Sequence, residues 1–306
     1  MAGAGVSELD GELTAIMRSL EPLLGAPAGA AVPLDGGITN RNYRVTLGDR
    51  DYVVRLPGKD TSRLGISRYA ERLATQSAAS LGIAPALAAQ LPDCLVTEFV
   101  QARELPTAEL RAKPDEVARA LRTFHDNGPT LPCEFDVPSL FDQYAETVLE
   151  RGGTLPEQYS PTRAALARIA AALPFEPLAP CHNDLLNGNL LATSDGRVLI
   201  VDWEYAGMGD RYFDLGNLSV NNGFEPADDE WLLAAYLGEA PTTSQRARLA
   251  LMRIVSDARE AAWGVAQIVL SELDFDFAGY AERHFTRLAV ALDDPQLEDW
   301  LRGASA

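Results

Sequence analysis

The chain has 306 residues, 47 % hydrophobic and 23 % charged, a composition that supports a packed globular core and excludes wholesale disorder. Its formal net charge is −18, from 44 acidic against 26 basic residues. That balance argues against nucleic acid or an anionic membrane surface as partner, since both call for clustered Lys and Arg, and it suits a cationic small molecule.

Read in chain order, Leu9, Leu13, Ile16, Met17, Leu20 and Leu24 fall on one face of a helix over 8–24. Residues 42–46 and 52–56 read as strands joined through Gly48-Asp49-Arg50-Asp51, a hairpin. A helix over 67–81 stops at Gly82, with Pro85 close behind, and 95–100 is a further strand. Helices are expected over 115–126, 140–151, 161–173, 228–237 and 243–273. One β island interrupts them, with strands 189–192 and 198–201 around Thr193-Ser194-Asp195-Gly196-Arg197, where Asp-Gly signals a hairpin. The fold class is therefore α+β: a two-lobed protein-kinase-like outline with a small β-rich lobe over 1–100 and a larger, mainly helical lobe over 101–306.

Cys94, Cys133 and Cys181 are scattered and form no Cys-x-x-Cys pair, which fits a reducing compartment better than a disulfide framework. The first ten residues lack a basic region followed by an apolar run, and no stretch of about 18 apolar residues occurs. A cytoplasmic location is expected.

The chemistry concentrates in Cys181-His182-Asn183-Asp184-Leu185-Leu186-Asn187-Gly188-Asn189. The spacing His-x-Asp followed by Asn five positions after the Asp is that of a phosphotransfer catalytic loop. Phosphoryl transfer needs a carboxylate that orients the attacking hydroxyl and takes its proton, the role open to Asp184. It also needs oxygen ligands for magnesium, which the Asn189 amide and Asp202, at the end of an apolar strand, can supply. The competing reading has His182 and Asp184 merely capping a turn.

His182-Asn183-Asp184, Gly188-Asn189 and Val201-Asp202-Trp203-Glu204-Tyr205 resemble the signature of the choline/ethanolamine kinase family, within the aminoglycoside-phosphotransferase-like branch of the protein-kinase superfamily. Gly36-Gly37-Ile38-Thr39-Asn40-Arg41-Asn42-Tyr43 resembles that family's nucleotide-binding loop, and Arg211-Tyr212-Phe213-Asp214 with Gly216-Asn217 its segment after the metal-binding strand. The resemblance implies ATP and Mg2+ as cofactors, Asp184 as catalytic base, and Asn189 and Asp202 as metal ligands. It implies that Gly36, Gly37, Thr39, Asn40 and Asn42 cover the phosphates. Arg55 stands where protein kinases carry a Lys and would hold phosphate, with Glu71 as its partner. Backbone groups around Glu98 to Val100 would meet the adenine edge. Asp214 would brace the catalytic loop, His125 would pack, and His284 would lie on the surface.

For the acceptor, the resemblance implies a site formed by Glu204, Glu260, Trp263 and Tyr280, with Trp263 and Tyr280 on positions of a choline cage. Glu260 replaces a second Trp common in the family, and Asn221 replaces a common acidic residue, which shifts weight toward ethanolamine or another amino alcohol. Trp263, Phe275 and Tyr280 also read as core aromatics at helical spacing. The expected activity is transfer of the γ-phosphoryl group of ATP to choline, ethanolamine or a related amino alcohol. The alternatives are a kinase for an aminoglycoside, thiamine, methylthioribose or similar metabolite, or a nucleotide-binding regulator that has lost catalysis. The partner is a small cationic alcohol, without nucleic acid or membrane; a homodimer is compatible with the sequence.

Overall fold

The computed structural model describes residues 3–34, 40–58, 60–92, 94–112, 114–174 and 176–305, with the backbone alone for 3–10. It divides into two compact units, Met1–Gly58 with Pro85–Gln101, and Lys59–Ala84 with Ala102–Ala306.

In the first unit, helix α1 (Gly3–Leu24) precedes β1 (Val32–Leu34), β2 (Arg41–Leu47), β3 (Arg50–Leu56), β4 (Leu87–Leu91) and β5 (Cys94–Glu98). These strands form an antiparallel sheet in the order β1-β2-β3-β5-β4. The β2–β3 hairpin closes between Leu47 and Arg50, over two residues. Gly48 takes φ 60° there, and a Cβ would stand 3.0 Å from the Leu24 carbonyl, so glycine is required on both counts. Alternation puts Val45, Leu47, Tyr52, Val54, Leu56 and Val96 on one face, where Leu20 and the half-buried Leu13, Ile16 and Met17 of α1 cover them.

The second unit contains α2 (Arg68–Ser80), β6 (Ala102–Glu104), α3 (Thr107–Ala112), α4 (Asp115–Asn127), α5 (Val137–Glu150), α6 (Tyr159–Ala172), β7 (Ala179–Cys181), β8 (Leu190–Thr193), β9 (Val198–Ile200) and β10 (Gly207–Gly209). Five helices complete it: α7 (Arg211–Asn221), α8 (Pro226–Leu237), α9 (Thr243–Leu270), α10 (Phe277–Leu292) and α11 (Leu297–Gly303). β6, β8 and β9 make a small sheet in that order, and β10 pairs with β7. Helix α9 begins with a capping box, Thr242 with Gln245, and is buried from Ala247 to Gln267, so it forms the axis on which α5, α7 and α10 pack. Gly216 lets α7 lie against it: a Cβ there would come within 2.7 Å of the Met252 carbonyl carbon.

Three differences from the sequence expectations have physical causes. Residues 59–84 group with the helical unit rather than with the β-sheet. Their ties run there: Tyr144 donates to Leu64 O (3.0 Å), Arg63 pairs with Glu150 (2.7 Å), and Ile200 N donates to Ile83 O (2.7 Å). The span 243–273 ends instead at Leu270, where Ser271 takes an extended backbone. Helix α7 was not anticipated, because its Asn, Gly and Asp are weak helix formers whose burial overrides propensity. Among the described residues no helix is long and apolar enough to cross a membrane.

Candidate active site

The loop after β7 is held from below. Asp214, on the first turn of α7, accepts the His182 N–H at Oδ2 (2.8 Å) and the Asn183 N–H at Oδ1 (2.7 Å). Its Oδ2 also takes His125 Nε2 (2.9 Å), whose Nδ1 meets the Tyr236 hydroxyl (2.7 Å). Burial pushes the Asp214 carboxyl up, but His125 and His182 outweigh it and hold it below its usual value. Both expectations stand: Asp214 braces the loop, and His125 is a buried structural residue. The Cys181 sulfur joins His125 and Asp214 within 4.8 Å, a spacing that could suit a metal. Their hydrogen bonds and the burial-raised thiol argue for a structural cluster instead.

Asn183 sits in the left-handed region at φ 67°, which turns the chain sharply before Asp184. The His182 ring does no proton chemistry here. Its Nε2 donates to Val201 O (2.9 Å), its Nδ1 accepts from Asp184 N (3.2 Å), and it packs edge-on against Trp203. Leu185 N donates to the Asn217 side chain.

Asp184 and Asn189 meet directly. Asn189 Nδ2 donates to the Asp184 carbonyl (2.8 Å) and to Oδ2 (3.3 Å). Committing that nitrogen leaves the amide oxygen as the atom that could face a metal. Val201 N donates to Asn189 O (3.0 Å), so the strand pairing sets Asp202, the next residue, beside Asn189 along the ladder. Asp202 adopts φ 68° and ψ 61° at the start of a 3-10 turn over Trp203–Tyr205, a costly conformation for a non-glycine residue and one often retained at functional sites. The set is all oxygen, carboxylate plus amide, which fits a hard divalent cation such as magnesium. Burial pushes the Asp184 carboxyl up to about 7; Arg259 opposes the shift, and Glu260 and Glu204 add to it.

Two arginines that the sequence reading missed organise the carboxylates. Arg68, at the start of α2, bridges Glu71 (2.8 Å) and Glu204 (3.2 Å), both buried. Arg259, 2 % exposed, points one nitrogen, Nη1, at Asp184 Oδ1 (3.2 Å) and Glu260 Oε1 (2.9 Å). Its guanidinium lies over the Tyr205 ring at 4.2 Å. A signal for Arg259 existed: in the run Ala258–Ala266 the other residues apart from Glu260 are apolar or glycine, and a charge in such a run has to be paired.

Of the expected acceptor residues, Glu260, Trp263 and Tyr280 come together, 1 %, 2 % and 8 % exposed. Tyr280 donates to Glu260 Oε2 (2.8 Å), Trp263 Nε1 donates to the Tyr205 hydroxyl (2.7 Å), and the Trp263 and Tyr280 rings sit T-shaped at 5.4 Å. Burial pushes the Glu260 carboxyl up, but Arg259, His284 and its hydrogen bonds bring it below its usual value. Glu204 is engaged by Arg68. His284 is buried rather than on the surface, because its Nδ1 pairs with Asp257 (2.9 Å) where α10 packs on α9.

In the first unit, Arg55 is buried on β3, opposite Asn42 on one side and Leu95 on the other. Asn40 is also buried, and neither side-chain polar atom has a partner among the described residues. The Glu98 and Phe99 N–H groups are taken by Ala86 O (2.8 Å) and Asp51 O (2.9 Å). Val100 follows, half-buried. Gly36, Gly37 and Thr39 lie outside the described residues.

The chain is similar to known proteins. Residues 30–252 match the phosphotransferase enzyme (APH) family. A human choline/ethanolamine kinase is 23 % identical, aligned over 83 % of this chain and 78 % of its own. Mouse ethanolamine kinase 2 is 30 % identical, over 82 % and 73 %. The crystal structure of a choline/ethanolamine kinase family protein from Mesorhizobium loti superposes with a TM-score of 0.82 at 29 % identity, covering 96 % of this chain and 99 % of that one. With a family match over most of its length and a protein-kinase-like fold around an Asp-Asn loop, the chain belongs to the phosphotransferase enzyme family and is a small-molecule kinase.

Proposed function

We propose that this kinase transfers the γ-phosphoryl group of ATP to the hydroxyl of choline, ethanolamine or a related amino alcohol, with magnesium. The observation that carries the reading is the hydrogen bond between Asn189 and Asp184, with Asp202 next along the paired strands. In this reading Asp184 aligns the acceptor hydroxyl and takes its proton as the oxygen bonds to the γ-phosphorus. The bond from that phosphorus to the bridging oxygen breaks, and ADP leaves. A carboxyl pushed up to about 7 is well matched to that proton. Asn189 and Asp202 would hold magnesium, which supplies neutralisation of phosphate charge when bound. Arg55, Asn40, Asn42 and the loop at Gly36, Gly37 and Thr39 would hold the phosphates. The backbone from Glu98 to Val100 would receive the base.

A second reading keeps the chemistry and changes the acceptor to another hydroxylated metabolite. It is favoured by one observation: the Glu260 carboxylate, offered to a substrate ammonium in the first reading, already has the Arg259 cation at 2.9 Å.

The test is ADP release with Mg2+ and ATP over choline, ethanolamine, thiamine, methylthioribose and an aminoglycoside, for the wild type and Asp184→Ala. Loss of a general base predicts a fall in kcat of about 10²–10⁴-fold, with nucleotide binding retained. Unchanged turnover in Asp184→Ala would sink the assignment of the base. An inactive wild type would favour a regulator.

A further inference from the structure

Of the acceptor-site residues named from the sequence, Glu260 is already paired with a cation that belongs to the protein itself, Arg259, at 2.9 Å. Arg259 lies over the Tyr205 ring at 4.2 Å, and Tyr205 is tied to Trp263, as Glu260 is to Tyr280. A site whose carboxylate already faces a buried guanidinium is a poor receptor for a second positive charge, which would meet repulsion at a few ångströms in a water-poor site.

The guanidinium is only half used. Nη1 serves both Asp184 and Glu260. Nε and Nη2 are buried and have no hydrogen-bond partner among the described residues. The Tyr144 hydroxyl lies near the guanidinium and itself donates to Leu64 O (3.0 Å). Nε and Nη2 are the parallel pair with which arginine grips a carboxylate at two points. Two surface pairs in this chain show that mode. Arg163 uses Nε and Nη2 on Asp142 (2.5 and 2.6 Å), and Arg246 uses them on Glu230 (2.6 Å each). A buried fork next to the base, left without an acceptor, calls for an anionic oxygen group.

We propose that Arg259 is the specificity-determining residue of the acceptor site and that the alcohol it selects carries a carboxylate, alone or beside an ammonium. This rests on the second reading above, a kinase for another hydroxylated metabolite, and narrows that acceptor to hydroxy acids and zwitterionic hydroxy amino acids. Glu260 then keeps the Arg259 charge in place, and the substrate carboxylate completes the Nε–Nη2 face while its hydroxyl reaches Asp184.

The experiment uses alcohols of two to four carbons matched in length, bearing an ammonium, a carboxylate or both; ethanolamine, glycolate and serine form the shortest set, with choline added. ADP release is measured for the wild type, for Arg259→Lys, and for Arg259→Met combined with Glu260→Gln, so that the buried Glu260 carboxylate is not stranded. The expected wild-type kcat/KM favours carboxylate-bearing acceptors over ammonium-only partners of the same length by about 100-fold. That ratio should fall to about 1 in the double variant and lie between in Arg259→Lys, which keeps the charge and loses the fork. A merely structural arginine would lower both classes together and leave the ratio unchanged, which overturns the proposal. A wild-type preference for choline or ethanolamine overturns it as well while sustaining the kinase reading. An absence of ADP release with every acceptor of both classes overturns this proposal and leaves the kinase reading to the wider acceptor panel above. Should the double variant fail to fold, the wild-type ranking and Arg259→Lys decide.

Discussion

Asp214→Asn is the sharpest test of how the catalytic loop is held. The carboxylate is fully buried and accepts three N–H groups, from His182, Asn183 and His125. An amide offers one oxygen. Its better orientation keeps that oxygen at the Oδ2 position, with two bonds, and turns an NH2 against the Asn183 N–H. The stranded donor costs about 1–3 kcal/mol, and losing the charge weakens each remaining bond by about 1 kcal/mol. The sum is about 4 kcal/mol, or roughly 10 °C in Tm for a domain of this size. Asp214 is held below its usual value in the fold, so its contribution is complete above the unfolded pKa and disappears as pH falls through the folded one. Melts of wild type and variant should therefore differ by about 10 °C at pH 7 and converge in acid below about pH 4. Because the bonded N–H groups immediately precede Asp184, kcat should drop about 100-fold while nucleotide affinity changes little. A variant that melts with the wild type, or a gap that stays constant into acid, would refute the brace.

Asn189→Ala should raise the Mg2+ concentration for half-maximal rate by at least the roughly 10–100-fold typical of outer-shell losses, read from ADP release against a Mg2+ titration. Retained Mg2+ dependence would remove Asn189 from the ligand set. Gly216→Val should cost about 1–3 kcal/mol by forcing α7 away from Met252 and Arg253 on α9, seen as a Tm several degrees lower. It should also lower kcat, since Asn217 carries the Leu185 N–H of the catalytic loop.

Where a chemical role needs neighbours in sequence, the sequence was readable. Asp184 and Asn189 lie five apart on one short loop and hydrogen-bond to each other, and Asp202 follows the strand residue, Val201, whose N–H donates to Asn189 O. The Asp-Gly hairpin between β8 and β9 was legible for the same reason. Roles built from distant segments were not. Arg68 joins Glu204 across 136 positions, and Arg259 joins Asp184 across 75. Neither periodicity nor spacing reports such pairs; only the cost of burying a lone charge hints that a partner exists. The three-residue strands β6, β7 and β10 escaped because each is shorter than one alternation pattern, and their pairing is dictated by tertiary context.

The catalytic loop and the helix that braces it each carry a buried aspartate, Asp184 and Asp214, whose environments drive them apart, and that contrast argues for catalysis over a vestigial fold. Asp214 is surrounded by donors and stays ionised, the state in which it best grips the backbone. Asp184 has one long bond to Arg259 and one to Asn189, with Glu260 and Glu204 near, and burial pushes its carboxyl up to about 7. A structural carboxylate gains nothing from being so poorly compensated. At neutral pH the ionised form costs the free protein stability, because the folded carboxyl prefers its proton as pH falls from 7 toward its unfolded value. That cost is reasonable for a group that must receive a proton and lose it again in each turnover, and which gains a divalent cation as neighbour when the substrates bind. A regulator that only bound nucleotide would have no use for such a poised acid, and substitution by asparagine would be free to relieve it.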